Sequence, residues 1–275
     1  MTAPEQHPGT KIEAPRPEQE IAHRLTAIET NHNIRILHAC ESGSRAWGFA
    51  SPDSDWDVRF IYVHDLNWYL SVGEHRDVIE LPIVDDYDIN GWELRKALRL
   101  LKKSNPVLLE WINSPIQYRI NSGFITAIQQ QVDAYYNPAA CYRHYLNMAR
   151  NNWRDSLNGP EVKLKKYLYV LRPVLACRWI VAEQSKVPVE FAHLLTAMPI
   201  EIGLRTAIEE LLTRKQAKSE TGISARIPEI DRFLNTEIPR LTDLARSLPQ
   251  STTPPAAQDD AQLDSLLRTT ILTGL

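Results

Sequence analysis

The chain has 275 residues, of which 43% are hydrophobic and 24% are charged, and its net charge at pH 7 is −3. The length allows one large domain or two ordinary ones, and the composition is that of a soluble globular protein. The charge excludes a wholly basic surface of the kind that coats DNA, although a local basic groove is compatible with it. No run approaches the roughly 18 apolar residues that a membrane-spanning helix needs, so no membrane partner is expected.

The N-terminal residues 1–17 are polar and proline-rich and lack the apolar core of a signal peptide, so we interpret them as a flexible arm. The three cysteines are far apart in the sequence, and none forms a CxxC pair. A disulfide framework or a structural zinc site is therefore not expected, and a reducing cytoplasm is the predicted location.

The segments after the arm alternate between helical and strand-like periodicity. They comprise a helix over 18–31, strands over 34–40 and 55–63, a further strand or hairpin over 77–90, and an amphipathic helix over 91–103. Asn105 and Pro106 then have the residue types of a helix N-cap and of the first helical position.

From about residue 120, strand-like alternation disappears and helical periodicity continues to the C-terminus. The predicted helices lie at 139–158, 161–184, 204–218, 228–246 and 261–273. Pro173 is expected to break or kink the second of these, and residues 247–260 have the composition of a linker. We therefore predict an α+β protein with a mixed N-terminal domain over 18–118 and an all-helical domain over 119–275.

Two aspartates, Asp55 and Asp57, lie two residues apart at the start of a predicted strand. Side chains at this spacing project from one face, so the carboxylates converge, and such a pair is unfavourable unless a cation neutralises it. Two Mg²⁺ ions would do so and would clamp the attacking and leaving oxygens of a phosphoryl displacement. Arg59, on the same face, could contact substrate or compensate the carboxylates. An isolated Asp-x-Asp is otherwise most often a solvated turn.

Gly43 and Ser44 follow the first predicted strand and supply a complementary feature. A glycine lets the backbone approach phosphate oxygens closely, exposed N–H groups after a strand bind anions, and the serine hydroxyl can add a hydrogen bond. Arg45 comes next and is a candidate to pair with a triphosphate, the alternative being an ordinary surface arginine. The turn and the aspartate pair together favour metal-dependent phosphoryl chemistry.

Residues 43–63, GSRAWGFASPDSDWDVRFIYV, resemble the signature of the DNA polymerase β-type nucleotidyltransferase superfamily, in which a Gly-Ser turn precedes Asp-x-Asp on the next strand. Together with residues 91–118, they are similar to a bacterial and phage branch of predicted nucleotidyltransferases called RlaP, which is linked to RNA repair. The resemblance covers roughly residues 34–180. It implies a nucleotidyltransferase fold (a small mixed sheet flanked by helices), dependence on Mg²⁺ with Mn²⁺ as the alternative ion, and transfer of a nucleoside monophosphate from a nucleoside triphosphate.

The superfamily pattern includes a third carboxylate on a later strand, and by position this is Asp88. Alternation supports the assignment, because the residues on either side of Asp88 would face the core. The implied role is to ligate the catalytic ion and to help activate the attacking hydroxyl. The competing candidates are Asp86, Asp85 and Glu80.

The C-terminal half carries two groups of basic side chains. Lys165 and Arg172 share one helix face, with Lys166 nearby. The preceding helix has a polar stripe of Arg143, Asn147, Arg150 and Arg154. Either group is a candidate for binding the triphosphate or an RNA backbone, and the alternative is the solvated face of an ordinary amphipathic helix.

The leading hypothesis is an enzyme that binds a nucleoside triphosphate at Gly43 and Ser44 and Mg²⁺ at Asp55, Asp57 and Asp88. A hydroxyl of the acceptor then attacks the α-phosphorus. The family link makes an RNA end the leading acceptor, and a protein or small-molecule hydroxyl is the enzymatic alternative. A non-catalytic nucleotide- or RNA-binding regulator and a toxin–antitoxin component are the other hypotheses.

Overall fold

The structure is a computed structural model that describes residues 16–157, 159–217, 223–248 and 260–273. Most of the predicted arm and of the predicted linker lies outside the described residues. The strands are β1 (Ile34–Glu41), β2 (Trp56–His64), β3 (Val78–Glu80), β4 (Tyr87–Glu93), β5 (Gln117–Ile120), β6 (Glu161–Lys163) and β7 (Ile223–Ala225). The helices are α1 (Pro17–His32), α2 (Gly43–Ala46), α3 (Leu66–Leu70), α4 (Leu94–Lys102), α5 (Pro106–Ile112), α6 (Ser122–Tyr135), α7 (Pro138–Ser156), α8 (Leu164–Glu183), α9 (Phe191–Ala197), α10 (Ile202–Ala217), α11 (Pro228–Ser247) and α12 (Ala261–Thr273).

Five strands form one mixed sheet in the order β3-β4-β2-β1-β5. β2 and β4 run parallel, and the other neighbouring pairs run antiparallel. The parallel pairing places Asp57 of β2 level with Asp88 of β4. A mixed sheet followed by a helical C-terminal region confirms the predicted α+β class.

Each face of the sheet is covered by helices. Helix α1 packs its apolar stripe, Ile21, Leu25 and Ile28, against one face. Apolar side chains on the opposite face join a larger core that continues through α4, α5 and α6 into the C-terminal helices. The boundary predicted at residue 118 falls within β5, and the hydrophobic core is continuous across it.

Strand β4 extends into the segment that the sequence predicts as helix. Residues 91–93 complete β4, and α4 begins at Leu94. Gly91 lies so close to the Phe60 ring on the neighbouring strand that a Cβ atom would be 2.2 Å from it. The Glu93 carboxylate then caps α4 by accepting hydrogen bonds from backbone N–H groups of its first turn at 2.8 and 3.3 Å. Strand pairing therefore overrides the helical pattern over these three residues.

The C-terminal region is helical and also contains a two-stranded antiparallel ribbon of β6 and β7. Each of these strands has three residues, which is too short for alternation to be visible in the sequence. Pro173 lies within α8 and does not end it. Among the described helices, none combines the length and apolar character needed to cross a membrane.

Candidate active site

The turn after β1 is shaped around the carboxylate of Asp57. Gly43 opens α2 with a φ of +58°, in the left-handed region that glycine adopts readily and other residues do not. A Cβ atom at Gly43 would lie 2.0 Å from Oδ2 of Asp57. The backbone N–H of Ser42 donates to the Asp57 carbonyl at 2.9 Å. Glycine is therefore required here by the backbone conformation and by the space that the Asp57 carboxylate occupies.

Asp57 and Asp88 face each other across the parallel strands, and Arg59 lies between them. The Arg59 guanidinium donates to Oδ1 of Asp57 at 3.0 Å and to Oδ2 of Asp88 at 2.7 Å. The carboxamide of Asn90 donates to the other oxygen of Asp88 at 2.6 Å. One guanidinium thus offsets the repulsion of two carboxylates whose side chains are about one-fifth exposed, at 23% and 22%.

Asp55, the remaining predicted metal ligand, is exposed and lies immediately before β2. Within the described parts of the chain, no group of three His, Cys, Asp or Glu residues has an arrangement that could hold a metal ion. The structure therefore brings Asp57 and Asp88 together and leaves Asp55 outside that pair. The donor chemistry still suits Mg²⁺, which prefers carboxylate oxygens, and the pair already accommodates a cationic group.

The rival candidates for the third carboxylate lie elsewhere in the β3–β4 hairpin. Asp85 and Asp86 form the centre of its tight turn, with φ values of +53° and +64°. Glu80 forms an exposed ion pair with an arginine four residues earlier. Of the four candidates, Asp88 is the one that shares Arg59 with Asp57.

Glu41, the last residue of β1, is a fully buried carboxylate in contact with the site, and it was not among the residues predicted from the sequence. Its carboxylate accepts a hydrogen bond from the backbone N–H of Asp57 at 2.8 Å and another from the hydroxyl of Tyr118. Burial raises the pKa of Glu41 to about 7; the two hydrogen bonds oppose this shift, and the charge of Asp57 adds to it. The available signal was an acidic residue at the end of a strand that is mostly apolar apart from Arg35 and His38.

Two basic side chains hold the loop between α2 and β2. Arg45 donates to the backbone carbonyls of Ser54 at 2.6 Å and Asp55 at 3.1 Å. Lys215 of α10, which is 3% exposed, donates to the hydroxyls of Ser51 at 2.7 Å and Ser54 at 3.1 Å. Arg45 therefore fixes the loop that carries Asp55, and its contact with a nucleotide stays a prediction.

The two basic residues predicted on α8 have different environments. Arg172 is 1% exposed, and its guanidinium donates to Glu110 at 2.8 Å and to the Val189 carbonyl at 3.0 Å. A guanidinium enclosed in this way supports the protein interior, so its placement does not favour the predicted nucleotide contact. Lys165 is partly exposed in the first turn of α8, and its role in binding stays a prediction.

Glu110 connects the turn after β1 to the C-terminal helices. Its carboxylate accepts hydrogen bonds from the Trp47 indole at 3.0 Å and from the Tyr145 hydroxyl at 2.7 Å, in addition to the bond from Arg172. The Trp47 carbonyl accepts a hydrogen bond from the backbone N–H of Phe191 at 2.9 Å. Because Trp47 directly follows α2, these hydrogen bonds connect the Gly43 turn to the C-terminal helices.

The chain is similar in sequence and structure to several known proteins. The model of a family described as RlaP, RNA repair pathway DNA polymerase beta family, matches residues 18–269. A Bacillus subtilis (strain 168) protein, described as uncharacterized protein YcgL, is 50% identical over 233 residues, which cover 84% of this chain and 88% of that protein. A solved structure of a nucleotidyltransferase-like protein from Exiguobacterium sibiricum 255-15 aligns over 92% of this chain and 77% of that chain, with 10% identity and a TM-score of 0.29.

Proposed function

The chain belongs to the RNA repair pathway DNA polymerase beta family, and we propose that it transfers a nucleoside monophosphate from a nucleoside triphosphate to a hydroxyl at an RNA end. Membership indicates a polymerase β-type nucleotidyltransferase; the triphosphate, the metal ion and the RNA acceptor are parts of the proposal. The observation that carries it is the position of Asp57 and Asp88 on neighbouring parallel strands, directly beside the Gly43 turn.

In the proposed reaction, Asp57 and Asp88 would hold Mg²⁺ or Mn²⁺. Asp55 is proposed as a further ligand, although the structure places it before β2 and outside that pair. The bound ions would neutralise the triphosphate and favour ionisation of the attacking hydroxyl. The protein's own contribution is positioning and charge, because phosphoryl transfer requires little covalent chemistry of it. Glu41 supports this by fixing the Asp57 backbone, and Arg45 by fixing the loop that carries Asp55.

The triphosphate is proposed to lie against Gly43, Ser44 and Lys165. Lys165 is four residues before Tyr169, so the two share a face of α8. The Tyr169 ring packs edge-on against Trp47, with 5.4 Å between ring centres, and Trp47 directly follows the Gly43 turn. This contact supports placing Lys165 on the side of α8 that faces the turn.

The test is a transfer assay with each nucleoside triphosphate labelled at the α-phosphate, in Mg²⁺ or Mn²⁺, with RNA, protein and small-molecule acceptors. Label on RNA supports the proposal, whereas label on a protein or a small molecule would replace the RNA acceptor by that class. If no acceptor is labelled, and Asp57→Asn leaves nucleotide and Mg²⁺ binding unchanged, the enzymatic proposal fails.

A matched set of variants gives the assay its controls. Asp57→Asn and Asp88→Asn are each expected to lower transfer by about 10³-fold or more, because several kcal/mol of charge stabilisation depends on the ligated ion. Asp85→Asn is the control, since it removes a carboxylate from the exposed turn of the same hairpin, and asparagine tolerates the left-handed backbone there. Equal losses in all three variants would contradict the assigned site.

A further inference from the structure

The α7–α8 hairpin concentrates positive charge in a chain that is acidic as a whole. Residues 143–166 contain six lysines and arginines and two acidic residues, a net charge of +4, whereas the whole chain has −3. On α7, Asn147, Arg150 and Arg154 are exposed, while Tyr142, Tyr145 and Ala149 are buried. The polar stripe of α7 therefore faces outward and is available to an anionic partner.

This stripe lines one wall of a groove between α7 and α11, which we call the α7 groove. Its volume is about 450 Å³, and its lining residues are Asn147, Arg150, Asn151, Trp153, Arg154 and Ile238. None of these lining residues, all within the described ranges, is acidic. Arg154 forms an exposed ion pair with the adjacent Asp155, and its side chain is 69% exposed. Surface ion pairs of this type are weak enough for a phosphate to compete with them.

The α7 groove lies at the end of the hairpin that packs against the active-site turn. The thiol of Cys177 on α8 contacts the Tyr142 carbonyl on α7 at 3.6 Å, which shows how the two antiparallel helices are aligned. In that register Arg150 is level with Tyr169, whose ring touches Trp47. The groove is therefore within about two helix diameters, roughly 20 Å, of the turn.

We propose that the α7 groove binds the backbone of the single-stranded RNA whose end enters the active site. Arg150 and Arg154 contact successive phosphates, which are the groups that arginine binds most readily in nucleic acids. The carboxamides of Asn147 and Asn151 can both donate to and accept from ribose 2′-hydroxyls, and this contact distinguishes RNA from DNA. The inference rests on the proposed function for its choice of acceptor.

The experiment measures binding without nucleotide or added metal. The fluorescence anisotropy of a labelled single-stranded RNA of about 12 nucleotides is titrated with the full chain at several salt concentrations, beside DNA of the same sequence. The double variant Arg150→Gln/Arg154→Gln changes exposed side chains only. Arg246→Gln on α11 is the matched control, because Arg246 is 77% exposed and also forms a local ion pair.

We expect the double variant to bind RNA about tenfold more weakly than the wild type, with a salt slope lower by about 1.4, since each phosphate contact on a single strand contributes about 0.7. The control should match the wild type. The proposal is overturned if the double variant keeps the wild-type affinity and slope, if the wild type does not bind RNA, or if it binds DNA equally tightly.

The two proposals fail separately. If RNA is labelled in the transfer assay but the double variant binds RNA as the wild type does, the α7 groove is rejected as the RNA-binding site and the proposed function stands. Groove-dependent RNA binding with no label transfer to any acceptor would reject the proposed function and leave the groove standing. Asp57→Asn links the two measurements, because it should lower transfer by about 10³-fold or more and keep the wild-type affinity for RNA.

Discussion

Replacing Gly43 with alanine should displace the Asp57 carboxylate and leave the fold in place. The added Cβ atom would lie 2.0 Å from Oδ2 and 2.9 Å from Cγ of Asp57, which is far closer than any ordinary contact. The carboxylate is the end of a side chain and can rotate away. That rotation breaks its 3.0 Å hydrogen bond with Arg59 and moves it from the position in which it faces Asp88.

The expected cost can be divided into two parts. The left-handed backbone at Gly43 costs an alanine about 1–2 kcal/mol, and the lost hydrogen bond between partly exposed groups adds about 1 kcal/mol. A decrease of about 2–3 kcal/mol in the free energy of unfolding corresponds to a Tm lower by roughly 4–12 °C in a chain of this size. The effect on chemistry should be larger, because a shift of about 1 Å in a positioned group costs about 100-fold in rate.

Gly48→Ala is the matched control for this prediction. Gly48 also has a left-handed backbone, with a φ of +85°, but a Cβ atom there would meet nothing within 4 Å. Both variants should lose about 1–2 kcal/mol to the left-handed backbone, and Gly43→Ala should lose about 1 kcal/mol more with its hydrogen bond. Gly43→Ala alone should lose α-phosphate transfer and calorimetric Mg²⁺ affinity. Equal activity in the two variants would refute the argument that the space left by Gly43 positions the Asp57 carboxylate.

Three further predictions concern charged or titratable side chains. Arg59→Met removes the cation between two aspartates, so the variant should have a lower Tm than the wild type without Mg²⁺. Scanning fluorimetry should also show that added Mg²⁺ raises the Tm of the variant more than that of the wild type. An equal rise in Tm for both proteins would contradict this prediction. Arg172→Met leaves the Glu110 carboxylate buried without its guanidinium partner, so the free energy of unfolding measured with urea should fall by about 3–5 kcal/mol. Adding Glu110→Gln should recover part of this loss. A loss below about 1 kcal/mol would contradict the buried ion pair. Burial lowers the pKa of His38 below its usual 6.5, so the unfolded chain binds a proton more readily and the free energy of unfolding should decrease as pH falls below about 6.5. Melting curves of His38→Gln between pH 5 and 8 should show a weaker decrease, and curves parallel to the wild type would exclude His38 as the cause.

The orientation of Asp57 and Asp88 was predictable because it depends on local periodicity, whereas Asp55 lies before β2 and is not governed by its alternation. Alternation along β2 places Asp57 away from the apolar side chains of the α1 face, and the same rule applied to β4 selects Asp88. The direct opposition of these two residues depends on β2 and β4 being parallel neighbours in register, which is a property of strand order in the whole sheet. The resemblance to a known superfamily supplied that missing information for Asp88.

The environment of Arg172 depends on distant parts of the chain and could not be predicted from local sequence patterns. Helical spacing places Arg172 on the same face as Lys165 but does not indicate that a carboxylate 62 positions earlier meets it inside the core. The bonds from Lys215 to the loop before β2 likewise span more than 160 residues. Burial of a charge is decided by such distant partners, so sequence spacing alone could not distinguish a phosphate-binding residue from an interior ion pair.

The geometry of the Gly43 turn depends on both halves of the chain. Trp47 at the end of α2 is bonded to Glu110 of α5, which α7 and α8 also bind, and the loop before β2 is bonded to Lys215 of α10. The contacts of Glu110 with α7 and α8 and the contact of Lys215 are buried, so losing one partner would leave a polar group unsatisfied at a cost of about 1–3 kcal/mol. The C-terminal helices therefore constrain the position of the loop that leads into Asp57. A substitution on α8 or α10 can consequently shift the backbone between Trp47 and β2, and so alter the positions of the carboxylates without contacting them directly.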